Sequence, residues 1–375
     1  MKIAYIARRP IPSVHAHAVQ IVKMCDGFGR LGHEVMLFAN LGDDKPTTIF
    51  DRYGVNRTFA VDVFPKRIKR FRRPRFAARL LRHPFIKKAD LCFGRDITAL
   101  AALSLTKKSI VYEAHTIPPV GSYRWRLIAW MVGRKNFSHL VCVTSTLADV
   151  HREQFPRLAG KPIIVAPNAA ADPPPAVAHS PWPGRRDAIQ VGFAGRPFEG
   201  KGIELIIHAA KKLPALDFHV VGAKRGDLTW IEGVLPQNLH LHGYQPHGRL
   251  SSYFARFDIA VAPYGAKVMN ASRIESAAIT SPLKLLEYMA AGLPSIVSDL
   301  PGVGDILEGT SDEVAMVVPA GNNEAFVEAI QRLAGDATLR DRIGKAARAR
   351  YLEKHTSIAR AQTVLGALAK PSGQA

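Results

Sequence analysis

Residues 2–39, KIAYIARRPIPSVHAHAVQIVKMCDGFGRLGHEVMLFA, decide the fold. Lys2–Ala7 is an apolar run of strand length. After a loop, Val19, Val22, Cys25, Phe28 and Leu31 recur at every third residue, a spacing that predicts a helix. Gly32 stands where that helix needs a residue of positive φ, and Glu34–Ala39 returns to strand. Strand, helix and strand in about forty residues make a βαβ unit, so a parallel sheet is the expectation. Ser109–Tyr112 and Leu140–Thr144 read as later strands of that sheet.

At Pro167 the texture changes. Residues 172–187, DPPPAVAHSPWPGRRD, carry five prolines and no apolar periodicity, and read as a semi-rigid connector. The alternation then restarts with a strand over Ile189–Ala194, a helix over Ile203–Leu213, and strands over Asp217–Gly222 and Asn238–Tyr244. A helix near Gly248–Arg256, the strand Ile259–Pro263 and a helix from Pro282 follow. Glu324–Ala334 and Leu339–Lys354 read as C-terminal helices before a frayed PSGQA tail. The expected domains are 1–172, a linker over 173–187, and 188–375, whose last helix can pack back on the first domain. Two such halves imply a ligand cleft between them. No fixed-period repeat is present.

Composition narrows the class. The chain has 375 residues, which suits two domains, and 47% hydrophobic against 22% charged residues suits a packed core. The three cysteines, Cys25, Cys92 and Cys142, have no CxxC spacing, which excludes a disulfide framework and fits a reducing cytosol. The N-terminus lacks a secretory pattern, and no apolar run approaches the roughly 18–20 residues that span a bilayer. The expected location is cytoplasmic, with the inner face of the cytoplasmic membrane as a peripheral site.

Ser281–Asp299, SPLKLLEYMAAGLPSIVSD, carries the most chemistry. Ser281 suits an N-cap and Pro282 the first helical position, while Gly292 and Pro294 stop the helix. Leu283, Leu286 and Ala290 form a stripe able to pack on a sheet. Lys284 and Glu287 share a face near the helix start, where free amides and a partial positive charge suit a diphosphate. Glu287 can accept hydrogen bonds from two ribose hydroxyls. The other reading is an ordinary capped helix with a surface Lys–Glu pair. Between a strand and a helix, residues 195–202, GRPFEGKG, place Arg196 and Lys201 where both can meet one anion, and neutralise a leaving diphosphate. A surface turn with two solvated cations is the alternative. The pattern is not a P-loop, since no GK[ST] follows four free positions after a glycine.

Taken together, these segments resemble the retaining glycosyltransferases of family 4, in the variant with Pro-x-Lys before the Glu. Residues 240–264 resemble the run after the phosphate loop, PNAAAD at 167–172 the segment closing the first domain, and residues 17–39 the first helix and second strand. The resemblance implies GT-B architecture: an α/β fold of two Rossmann-like parallel-sheet domains facing across a cleft. It implies that Arg196 and Lys201 hold the donor diphosphate and act in catalysis, and that Glu287 binds the ribose. By the same resemblance, backbone around Ser281, Pro282, Leu283 and Lys284 covers the phosphates, and backbone near Tyr244 meets the base. His115, in YEAHT after a strand, matches the cleft histidine that contacts the donor sugar near the reacting carbon; a packed loop histidine is the bland alternative.

Two departures stand out. The family's second Glu, eight residues before the ribose-binding one, is Ile279 here, with Glu275 the nearest carboxylate upstream. The loop Arg8–Ala16 lacks the usual glycines, and His15 and His17 stand there instead. No Asp-x-Asp and no zinc-spaced cluster occur, so no cofactor or metal is expected.

The charge is concentrated. Residues 64–88 hold Lys66, Arg67, Lys69, Arg70, Arg72, Arg73, Arg75, Arg79, Arg82, Lys87 and Lys88 with no acid, eleven charges of the net +20. Phe71, Phe76, Leu80, Leu81 and Phe85 are interleaved. Such a segment suits an anionic membrane surface or the acceptor; a solvated face and nonspecific nucleic-acid binding are the other readings. The expected partners are a nucleotide-diphosphate sugar and a glycan or lipid-linked acceptor, with nucleic acid disfavoured for want of a recognition motif. A hexosyl transferase is the leading expectation. A catalytically inactive relative that binds nucleotide sugar or membrane is the alternative, and an epimerase lacks placed carboxylates.

Overall fold

The computed structural model describes residues 1–13, 16–42, 48–64, 72–173, 182–265, 279 and 281–369. The chain divides into two units of residues, Met1–Ala169 with Ser357–Ala375, and Ala170–Thr356.

In the first unit the elements run β1 (Lys2–Ile11), α1 (Ala16–Arg30), β2 (Glu34–Leu41), α2 (Ile49–Tyr53), β3 (Ala60–Phe64), α3 (Arg72–Arg82) and α4 (Pro84–Lys88). They continue as β4 (Leu91–Gly94), α5 (Ile97–Leu103), β5 (Ser109–Ala114), α6 (Tyr123–Met131), β6 (Phe137–Cys142), α7 (Ser145–Gln154) and β7 (Ile163–Val165). The strands form one sheet in the order β3-β2-β1-β4-β5-β6-β7, parallel throughout. Its core holds Ile3, Tyr5, Phe28, Leu37, Phe93, Val111 and Val141.

The second unit runs β8 (Gln190–Ala194), α8 (Ile203–Lys212), β9 (Asp217–Val221), β10 (Leu239–Leu241), α9 (Leu250–Phe254), β11 (Ile259–Ala262) and α10 (Leu283–Ala290). It ends with β12 (Ser295–Ser298), α11 (Pro301–Leu307), β13 (Met316–Val318), α12 (Asn323–Gly335) and α13 (Ala337–Arg350). Its parallel sheet is ordered β10-β9-β8-β11-β12-β13. The final helix α14 (Ser357–Ala369) lays Ala361 and Val364 into the core of the first unit. Gly27 of α1 is what lets it approach, because a Cβ there would sit 2.4 Å from the Ser357 carbonyl oxygen.

In each sheet the chain leaves the first strand on one side and later returns to the other. The switch point lies between β1 and β4 in the first unit and between β8 and β11 in the second. Ligands of open parallel sheets bind outside the carboxyl ends of the strands at such points.

Three expectations need correction. The helix from Pro282 begins one residue later: Pro282 is its N-cap, with ψ 89, and no side chain caps it. The ring fixes φ but not ψ, so Pro282 ends the preceding loop and Leu283 opens the helix. The packed face is wider than Leu283, Leu286 and Ala290, since Leu285, Tyr288 and Met289 are buried as well. The strand expected over Asn238–Tyr244 is only Leu239–Leu241, because Gly243 turns the chain at φ 64. No helix among the described residues is long and apolar enough to cross a membrane.

Candidate functional site

β8 ends at Ala194, and the chain turns through Gly195–Gly202 before α8. Two successive turns build that loop, with Phe198 N–H donating to the Arg196 carbonyl (3.0 Å) and Lys201 N–H to the Phe198 carbonyl (3.0 Å). Gly265 N–H donates to the Gly200 carbonyl at 3.0 Å, tying the loop to the segment after β11. Glycine is required at two places. A Cβ on Gly202 would lie 2.1 Å from the Pro263 carbonyl oxygen, in a backbone already at φ 80. A Cβ on Gly195 would lie 2.4 Å from Cε of Lys284, so the bare backbone leaves room for that lysine.

α10 is held over the same switch point by Tyr288. Its buried phenol accepts from Ala194 N–H at 3.0 Å and donates to the Val261 carbonyl at 3.2 Å, joining the helix to β8 and β11. The lysines then converge on one ring. Lys201 Nζ lies 5.0 Å from the centroid of Tyr264, Lys284 Nζ lies 5.3 Å from the same centroid, and Lys284 Nζ is also 4.8 Å from that of Phe193. Such cation–π contacts partly replace lost hydration.

The balance remains poor for positive charge. Burial lowers the Lys201 ammonium from its usual range. Burial first, then repulsion from Lys201, bring Lys284 down to about 7, against the pull of Glu287. Tyr264 is raised, chiefly by burial and then by Glu287. Two crowded ammoniums and the amides of a helix start, which lack carbonyls one turn earlier, form a site short of negative charge.

Of the residues singled out in the sequence, the fold thus brings together Lys201, Lys284 and Glu287, beside Leu283 and the buried Ser281. Arg196 is exposed on the same loop. Tyr244 is 63% exposed beyond β10 and, among the described residues, makes no hydrogen bond, ion pair or ring contact. Ile279 is half-buried, while Glu275 and His15 lie outside the described residues. Tyr264, Phe193 and Tyr288 were not singled out; Tyr264 closes the run VAPY at the end of β11, while Phe193 lies in β8 and Tyr288 in α10.

In the first unit, His115 follows β5. Its Nε2 is 3.5 Å from Oε1 of Glu113, and burial, then Arg95, lower it to about 4, so the imidazole is neutral at pH 7. Glu113 is fully buried and is the centre of a network that no sequence motif announced. Arg95 Nε donates to Oε2 at 2.6 Å and Arg360 Nη2 to Oε1 at 2.7 Å, and the Tyr5 hydroxyl donates to Oε2. Although burial opposes ionisation, Arg95 and Arg360 hold the Glu113 carboxyl well below the usual carboxylate range. A carboxylate in an apolar strand was the available clue.

Of the basic segment, Lys66, Arg67, Lys69 and Arg70 lie outside the described residues, as do the side chains of Arg72 and Arg73. Arg75, Arg79, Arg82, Lys87 and Lys88 are exposed, with Arg79 3.3 Å from Asp62 and 4.1 Å from the Phe64 centroid. Among the described residues no group of three or more His, Cys, Asp or Glu side chains could hold a metal ion.

Residues 188–336 match the family model described as glycosyl transferases group 1, and residues 17–171 the one described as glycosyltransferase family 4. The chain belongs to the GT-B glycosyltransferases. Among solved structures, it is similar to a glycosyltransferase from Rickettsia africae ESF-5, with TM-score 0.71 at 13% identity over 98% of this chain and 97% of that one. Anabaena HepE in complex with UDP gives TM-score 0.69 at 14% identity over 98% and 99%. The sucrose-phosphate synthase of Thermosynechococcus elongatus gives 0.67 at 14% over 97% of each chain. At these identities the likeness shows the fold. No curated protein matches the chain.

Proposed function

We propose that the chain moves a hexosyl group from a nucleotide-diphosphate sugar to a glycan or lipid-linked glycan, with retention of configuration and without a metal. The reading places it in family 4, in the Pro-x-Lys variant. One observation carries it: Lys201 and Lys284 crowd one buried ring at the β8/β11 switch point, with Glu287 beside them. A diphosphate answers that surplus of charge. Lys201, Lys284, Arg196 and the amides opening α10 stabilise it as it departs, and fixed charges aimed at a leaving group are the main source of rate enhancement in such chemistry. Glu287 accepts from the ribose hydroxyls, and backbone near Tyr244 meets the base. Neutral His115 contacts the sugar near the reacting carbon. The acceptor, bound to the N-terminal unit, attacks on the face from which the diphosphate leaves, so no protein nucleophile is needed. The structures of HepE hold UDP and UDP-glucose, which makes uridine nucleotides the first donors to test.

A panel of nucleotide sugars, screened by thermal stabilisation, identifies the donor, since a ligand at 100 times its Kd adds about 2.7 kcal/mol. With that donor, Lys201→Ala and Glu287→Ala each lower turnover by about a hundredfold or more while the fold is kept. Near-normal turnover in both contradicts the assignment. Ile279, where the family has a carboxylate, favours a second reading as a non-catalytic nucleotide-sugar binder; tight binding with neither transfer nor hydrolysis supports that one.

The basic face of α3 and α4 suits a peripheral site on anionic membrane, each nearby cation contributing roughly 1 kcal/mol. Sedimentation with anionic vesicles at low salt, lost at high salt, is the expected result; no sedimentation at low salt removes this part of the proposal.

A further inference from the structure

The carboxyl edge of the N-terminal sheet gathers guanidinium groups that the proposed donor site does not include. Its switch point lies between β1 and β4, where Ile6 pairs with Gly94 and both Arg95 N–H and Asp96 N–H donate to the Ile6 carbonyl (2.9 and 3.3 Å). Past Ile6, Arg8 adopts φ 41, a backbone that non-glycine residues rarely take. Two contacts hold it there: Arg8 Nε donates to Asp96 Oδ2 at 2.6 Å, and the Asn40 side-chain amide donates to the Arg8 carbonyl at 2.8 Å. The turn delivers Arg9 to the edge of the sheet. Arg9 is exposed, and among the described residues its side chain makes no hydrogen bond or ion pair.

Arg124 arrives from the next strand over. It lies in the first turn of α6, after β5, and is likewise exposed and without an ion pair among the described residues. That turn contains no acid and a second arginine, Arg126. Cations at a helix N-terminus oppose the macrodipole, so the sequence leaves this end deficient in negative charge. The two arginines feel each other: partial burial lowers Arg9 first, then repulsion from Arg124, Arg8 and Arg95, with only Asp96 acting the other way. Asp96 is engaged by Arg8, and Glu113 by Arg95 and Arg360. Arg9 and Arg124 are the members of the cluster left uncompensated among the described residues.

We propose that Arg9 and Arg124, backed by Arg8 and Arg95 at the β1/β4 switch point, form an oxyanion subsite that takes a phosphate or carboxylate of the acceptor. The proposal deepens the glycosyltransferase reading and rests on it in one respect, that the N-terminal unit receives the acceptor. Both oxyanions offer paired oxygens that a planar guanidinium grips bidentately. The acceptor is then an acidic or phosphorylated glycan, or a lipid-linked sugar gripped through its phosphate.

Calorimetry on the full chain tests this. UDP is titrated first, then glucose 6-phosphate and, separately, glucuronate into the UDP-saturated protein, with wild type, Arg9→Gln, Arg124→Gln and the double variant. Both side chains are exposed and, among the described residues, unpaired, so the variants keep the fold, which circular dichroism checks. The expected result is saturable binding of at least one of the two probes, weakened tenfold or more in the double variant, with UDP affinity unchanged. The phosphate and carboxylate arms show which oxyanion is taken. Binding of neither probe, or binding that the variants leave unchanged, overturns the proposal. So does a parallel loss of UDP affinity, which would assign these arginines to the donor. If UDP does not bind wild type, the donor reading has failed, and the same titrations without UDP still decide this one.

Discussion

Lys284 is held close to losing its proton. Burial, then Lys201, bring it to about 7 from an ordinary value of 10.5, and Glu287 only partly restores it. Between those two values the unfolded chain carries a proton that the folded chain lacks. The group's contribution to stability therefore rises with pH across that window and is least favourable below about 7. Lys284→Met, which keeps the apolar stem, should raise the melting temperature at pH 7 and lose that advantage near pH 10, as thermal melts at both pH values would read. A bound diphosphate reverses the penalty, so its binding takes up close to one proton per site at pH 8, about the full linkage. Titrations of the donor nucleotide in buffers of different ionisation enthalpy should then give different apparent heats; identical heats contradict a lysine poised in this way. Arg360 shows the opposite case, a buried pair already complete. Arg360→Ala leaves Glu113 buried with one cation fewer and should cost about 3–5 kcal/mol in urea denaturation. Because the Glu113 carboxyl is depressed in the folded state, this stabilisation is full above the unfolded carboxylate range and fades as pH falls through it.

At the scale of elements, α10 is positioned by packing and by the Tyr288 phenol rather than by its cap. Tyr288→Phe strands the Ala194 amide in the interior, which should lower stability by about 1–3 kcal/mol and weaken binding of the donor nucleotide. The other edge of that sheet carries His219 of β9 stacked with His240 of β10 and Trp182, at centroid distances of 4.9 and 4.4 Å. Burial and then the neighbouring histidines lower His219 to about 3, and His242 falls to about 4 for the same two reasons, burial first. Both pKa values are depressed, so the unfolded chain binds the extra protons as pH drops below 6.5, and the C-terminal unit loses stability toward pH 4. A thermal-stability profile that is flat from pH 7 to 4.5 contradicts that account.

Elements with a strong apolar period were legible in the sequence: β1, α1, β2, β8, α8 and β9. β4, β11 and β12 have only four residues each, too few to show a period, and of these only the apolar run of β11 was read as a strand; in β3 the alternation covers only Val61–Val63. In the proposed donor site Lys201 was legible beside a glycine turn, read there with Arg196, and Lys284 near a helix start, read there with Glu287. Tyr264, which both contact, was not, because what unites it with them is three-dimensional proximity across β11 and α10. Glu113 escaped for a similar reason, since its partners Tyr5, Arg95 and Arg360 come from both ends of the chain.

For the whole molecule, the chain builds two parallel sheets of the same logic, each with a switch point and a cluster of candidate site residues beyond the carboxyl ends of its strands. The first unit needs the chain's last helix to close its core, as Ala361 and Val364 pack there. Truncation after Thr356 should therefore destabilise the N-terminal unit while nucleotide affinity, which the proposal assigns to the C-terminal unit, stays within about twofold, a shift of less than 0.5 kcal/mol. The central claim is that Lys201 and Lys284 grip the donor's diphosphate, and a crystal structure of the complex with the donor nucleotide tests it most directly. The account predicts diphosphate oxygens about 2.7–2.9 Å from both ammoniums, with the ribose at Glu287. A diphosphate bound away from these lysines would contradict it.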